Sequence, residues 1–155
     1  MPHDQPPKDQ NGLTIPHDCQ EILLEHRVIR RISQEWIVTD NNGGRRVSTA
    51  AFEPSSKEHD PYCGLSVDIE RFIIDDGLDA QTYVSSPQFT GAIAIAVSNF
   101  RTRNFLVGYD PSNSNPYHGS VWGDEGRNSR FTRGTKKDFL KESEWFVPMA
   151  GVKIV

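Results

Sequence analysis

Cysteine is scarce, apolar runs are short and basic residues are not in excess. The two cysteines, Cys19 and Cys63, have no CxxC spacing, so they form neither a metal site by themselves nor a disulfide framework. Two lone thiols fit a reducing cytoplasm. The longest apolar run, Ala92 to Val97, has six residues, far short of the roughly 20 that span a bilayer. Seventeen Lys and Arg stand against 21 Asp and Glu, a formal net charge of −4. That balance excludes a globally basic nucleic-acid binder and leaves room only for a local basic stripe. The N-terminal residues carry no basic patch followed by an apolar stretch. Pro2 rather than Gly follows Met1, and no Cys lies near the C-terminus, so no secretory or lipidation signal is read. The phosphate-loop pattern GxxxxGKS/T, the dinucleotide pattern GxGxxG and the nucleophile elbow GxSxG are all missing.

The residues that are present make a core. Hydrophobic residues are 35% of the 155, with three Trp, eight Phe and four Tyr, which is enough for one folded domain and excludes wholesale disorder. Residues 1–16 are polar and contain Pro2, Pro6, Pro7 and Pro16, so they read as a flexible tail ahead of a domain over 17–155. Asp18 with Glu21 resembles a capping box that opens a short helix. The stretch from His26 to Val38 is extended, and Asn42-Gly43 predicts a hairpin into a strand over Arg45–Phe52. Ser66 is expected to cap a helix from Val67 to Asp75 that stops at Gly77, with a loop over 79–88. Alternating Ala and Ile predict a strand near 91–97 that is buried on both faces. Further strands are expected at Phe105–Tyr109, His118–Trp122 and the two apolar pieces of the C-terminus. Thr135 with Asp138 resembles a second capping box, which predicts a helix to about Ser143. The class is α+β: a single domain, mostly antiparallel sheet, with about three short helices.

Four constellations could carry chemistry. Arg30 shares a strand face with Val28 and Ile32, and a buried arginine requires a carboxylate, an anion or several carbonyls. Its neighbour Arg31 points to the other face. Ser48 and Thr49 put hydroxyls on the far arm of the hairpin. His118, Ser120 and Trp122 alternate onto one face, setting a titratable imidazole beside a large ring as a ligand-binding wall. Arg127, Arg130, Arg133, Lys136, Lys137 and Lys141 interleave with Phe131 and Phe139, a pattern that can track a phosphate backbone. No Asp or second His stands at metal-ligand spacing from His118, so no metal site is read.

The C-terminal stretch Glu142-Ser143-Glu144, Trp145-Phe146-Val147-Pro148 and Val152-Lys153-Ile154-Val155 resembles the tail of arginine-type ADP-ribosyltransferases, with an ExE turn followed by an apolar strand, a proline and a last strand. The resemblance covers about 14 residues. It implies NAD as cofactor, with Arg30 or Arg31 on the pyrophosphate, Ser48 at the ribose and Glu144 stabilising the charge that develops as nicotinamide leaves. The chain also departs from that family: Ser48-Thr49-Ala50 lacks the last serine, and the spacings between the three elements differ. As a whole, the chain looks like one of the small uncharacterised bacterial proteins. The residues themselves point first to a cytoplasmic module that binds a protein partner or a small anionic ligand. An NAD-dependent transferase is the alternative. A nucleic-acid-processing protein that uses His118 and the basic stretch is the second.

Overall fold

The segment Arg27–Ile32 (β1) is rich in β-branched residues on both faces, and it becomes the interior strand around which the sheet is ordered. The computed structural model describes residues 3–55, 61–124 and 130–155. One side of β1 pairs with Leu65–Ile69 (β4) and the other with Gly91–Ala96 (β5). Leu106–Tyr109 (β6), His118–Trp122 (β7) and Glu144–Val147 (β8) complete an antiparallel six-stranded sheet in the order β6-β7-β4-β1-β5-β8. Ile37–Thr39 (β2), Arg45–Val47 (β3) and Val152–Lys153 (β9) form a second, three-stranded sheet. Among the described residues the helices are Glu70–Asp75 (α1), Ala80–Val84 (α2), Val97–Arg101 (α3) and Arg133–Glu142 (α4). The fold is a single-domain α+β, as the sequence predicts. No helix among the described residues is long and apolar enough to cross a membrane.

The hairpin forms where Asn41-Asn42-Gly43-Gly44 predicts it, with Ile37 opposite Val47 and Thr39 opposite Arg45. Gly43 supplies the positive φ of 80° that the turn requires. Its second arm is shorter than expected, because Thr49–Phe52 coils into a 3-10 turn that buries Ala51 and Phe52. In β5, Ala92 to Ile95 are buried on both faces, and the chain then turns directly into α3.

Several local expectations are corrected. Asp18 opens no helix; its carboxylate accepts from the Val107 amide (3.1 Å) and from Arg101 Nε (2.9 Å). Residues 65–69 alternate Leu, Val and Ile with polar Ser66 and Asp68, and they form strand β4 where a helix over Val67–Asp75 is expected. The helix starts only at Glu70 and still stops at Gly77, whose φ is 79°. Within the expected loop over 79–88, Asp79 caps α2 by accepting from the Thr82 amide (3.2 Å). Thr132 rather than Thr135 caps α4. The polar composition of Glu53–Pro61 predicts a loop, of which residues 56–60 lie outside the described residues.

The N-terminal segment differs most from its expected role as a free tail. From His3 it runs against the domain. The His3 ring stacks on Phe72 with centroids 3.6 Å apart, its Nδ1 lies 3.0 Å from Glu21, and Pro6 is buried. His17, Asp18 and Cys19 then line the outer edge of β6. Cys19 N donates to the Val107 carbonyl (2.9 Å), and His17 Nε2 accepts from the Tyr109 amide (3.2 Å). Covering an edge strand in this way removes its unpaired backbone groups from solvent. Gly108 permits the approach, since a Cβ there would sit 2.7 Å from the His17 carbonyl. Deleting residues 1–16 is therefore expected to lower the thermal unfolding midpoint by roughly 2–8 °C, as a loss of about one to two kcal/mol does in a domain of this size. An unchanged midpoint in differential scanning calorimetry would show that the segment contributes nothing.

Candidate functional site

Arg30 and Arg31 are adjacent on an interior strand, so their side chains leave it on opposite faces. They nevertheless line one cleft of about 550 Å³, together with His118. The reason lies in the ladder. β1 and β4 pair only at Val28 with Ile69 and at Ile29 with Asp68. Beyond Asp68 the two strands are no longer paired, and the Arg30 guanidinium occupies the place where the ladder would continue. Its Nη1 donates to the Ser66 carbonyl (2.8 Å), a group that a continued ladder would have used, and its Nε donates to the Ala51 carbonyl (2.6 Å). The Trp36 ring lies 4.7 Å from its charge centre. Among the described residues no carboxylate bonds to it. Burial therefore pushes the Arg30 guanidinium well below its usual range, to about 10, and the charge of Asp68 offsets this only in part.

Arg31 reaches the opposite outcome. Its Nε and Nη2 donate to the two oxygens of Asp68 at 2.8 and 3.0 Å, a bidentate pair. Burial alone would lower the Arg31 guanidinium, but the bonds and charge of Asp68 outweigh it and the net shift is upward. The Asp68 side chain is 4% exposed, and it accepts a third bond from Asn115 Nδ2 (2.8 Å). Asn115 Oδ1 accepts in turn from the Tyr83 hydroxyl (2.7 Å) and the Tyr117 amide (3.1 Å). Burial, then the charge of Asp68, raises the Tyr83 phenol above its ordinary value. This network ties β1, β4, α2 and the β6–β7 loop into one wall.

His118 lies opposite Asp68 in the β4–β7 ladder. Its Nδ1 is 2.7 Å from the Asp110 carbonyl, which can only accept, so in the neutral imidazole Nδ1 carries the proton and Nε2 is the acceptor. The Asp110 carboxylate takes the Ser120 hydroxyl (2.8 Å) and lies 3.9 Å from His118 Nδ1. Ser112 and Ser114 add two exposed hydroxyls at the rim, 3.3 Å apart.

No family model, curated protein or solved structure matches this chain. Its chemistry is read from its own atoms.

The structure brings Arg30, Arg31 and His118 together and leaves the other candidates elsewhere. Trp122 is 1% exposed, with Gly64 and Gly108 close against it and its indole N–H donated to the Tyr62 carbonyl, so it is core rather than ligand wall. Ser48 begins the 3-10 turn after β3, with its amide on the Trp36 carbonyl (2.8 Å), and does not line the cleft. Glu144 is on the surface, its side chain 67% exposed and bonded to Arg27 Nη1 (2.8 Å). Glu144 lies opposite Ala94, which lies opposite Ile29. That places it on the face of Ile29 and Arg31, across β5 from them, and it does not line the cleft. Arg30, Ser48 and Glu144, the trio that the transferase resemblance assigns, therefore share no cleft.

His118 is likewise not joined to the basic stretch. Arg127 lies outside the described residues, Lys136 pairs with Glu53, and Phe131 and Phe139 are buried in the core where no base could stack on them.

Sequence reasoning passed over Asp68, Tyr83 and Asn115. A signal for Asp68 was there: it is the one charged residue in the alternating stretch Leu65–Ile69. Replacing Asp68 with Asn should destabilise the fold by roughly 3 kcal/mol, because Arg31 is left without its counter-charge. Asn115→Ala should cost only about 1 kcal/mol. Urea unfolding of both variants checks the order, and equal small losses would show that the network is not what holds the wall.

Proposed function

We propose that the protein is a binding module for a small anionic ligand, held in the cleft between β1, β4 and β7. The observation that carries this reading is Arg30, a half-buried cation whose partners among the described residues are two neutral carbonyls and a ring. A charge in that setting is costly, on the order of 3 kcal/mol judged from the downward shift of its guanidinium. An anion bound against it would recover that cost, which gives the site a selective preference for negative charge. Arg31 contributes much less net charge, since Asp68 already neutralises it. His118 and the serine hydroxyls supply directional polar groups, the usual complement of a ligand cleft.

A cytoplasmic location belongs to the same reading. Cys19 and Cys63 are not joined to each other, as a reducing compartment requires.

Titrating acetate into the protein while following backbone amide resonances tests the proposal. Saturable shifts are expected at Ser114 and His118, and they should weaken as salt is added. Arg30→Met should reduce the affinity about ten-fold or more. Arg30→Lys, which keeps the charge but loses the two-carbonyl fork, should fall between them. Shifts that persist undiminished in Arg30→Met would contradict the reading, as would none in the wild type.

A further inference from the structure

Resting on the anion-site reading above, we infer that the ligand is a hydroxylated monocarboxylate of sugar-acid type, with its carboxylate on Arg30 and its hydroxyls toward His118 and the Ser112–Asn115 rim.

The charge on the wall sets the charge of the ligand. Arg30 is one positive charge without a carboxylate, and Arg31 is cancelled by Asp68. One negative charge on a ligand is therefore matched, whereas a second would face Asp68 with no further unpaired cation among the described residues of the wall. A phosphate monoester, close to dianionic at neutral pH, fits worse than a carboxylate. The planar guanidinium also presents its remaining N–H groups in the geometry that a carboxylate accepts. A ligand ammonium fares no better, because the oxygens of Asp68 already take three donors and the carboxylate of Asp110 takes Ser120.

The polar groups set the body. His118 offers a bare Nε2, since its Nδ1 proton is committed to the Asp110 carbonyl, and an acceptor of that kind calls for a ligand O–H or N–H. Among the described residues the Ser114 hydroxyl bonds to that of Ser112 alone, so it can exchange with a ligand hydroxyl, while Ser112 Oγ also accepts from the Asn115 amide (3.1 Å). Tyr83 and Phe89 are half-buried rings on the same cleft, able to cover the C–H face of a compact polyol. β1 and β7 are two ladder steps apart, roughly 10 Å. A ligand that engages Arg30 and His118 at once therefore needs a body of several carbons between its carboxylate and its hydroxyls.

Four probes on the full chain separate the parts of this inference by calorimetry and amide-shift mapping. D-glucuronate has the charge and the body, D-glucose the body alone, acetate the charge alone, and D-glucose 6-phosphate the body with a dianion. D-glucuronate is expected to bind about ten-fold more tightly than each of the others. Ser114→Ala, at an exposed rim position that should not disturb folding, is expected to weaken D-glucuronate several-fold and leave acetate unchanged. D-glucose 6-phosphate binding as tightly as D-glucuronate would overturn the monocarboxylate assignment. Acetate binding as tightly as D-glucuronate would overturn the hydroxylated body. In both cases the anion site itself survives. If neither acetate nor either charged sugar shifts the cleft resonances, the anion reading falls and the sugar-acid inference falls with it.

Discussion

Two consecutive arginines in an interior strand are the constraint on which this structure turns. A strand sends neighbouring side chains to opposite faces, so Arg30 and Arg31 cannot share one partner. Arg31 meets a buried carboxylate, Asp68, on the neighbouring strand. Arg30, on the face with Val28 and Ile32, meets no carboxylate, and it is accommodated because the β1–β4 ladder ends early and the carbonyls of Ser66 and Ala51 turn toward it. The end of the ladder and the position of the cleft have the same origin. A side chain that takes a ladder acceptor also holds two strands apart.

Asp68 converts that local solution into a rigid wall. Through Asn115 it fixes the β6–β7 loop, and through Asn115 again it fixes Tyr83 on α2. Groups held by such a network keep their geometry before a ligand arrives, which lowers the ordering cost of binding. The N-terminal segment acts at a distance. By covering the outer edge of β6 and packing His3 on Phe72, it steadies β6, which leads into Asp110, and through it β7, which carries His118.

Much of the scaffold was legible because its signals are local. Asn42-Gly43 marks the hairpin, β-branched residues mark β1 and β5, and Gly77 marks the end of α1. The misread elements were those decided by long-range partners. Asp18 has the look of a helix cap, but it is claimed by Val107 and Arg101, more than 80 residues away. Ser66 and Asp68 sit at positions that a helix could also use, and pairing with β7 and, at Asp68, with β1 makes them strand. Of the candidate site, Arg30, Arg31 and His118 stood out by residue type. The meeting of β1 with β7 across β4 is a property of strand order, which no spacing along the chain reveals. Trp122 was misassigned for a related reason: alternation places it on the face of His118 and Ser120, but glycines at 64 and 108 let the core close over it.

Arg30 as a half-buried cation completed by a ligand anion is the claim on which the functional account rests, and its own titration reads that claim. Carbon-detected NMR of the arginine side chains, recorded against pH with and without saturating acetate, follows the Arg30 guanidinium separately from the others. The account predicts that Arg30 titrates near pH 10 in the free protein and moves back up toward the other arginines once acetate is bound, since a bound anion favours its charged form. A guanidinium that titrates with the other arginines from the start, or that acetate leaves where it was, would contradict it.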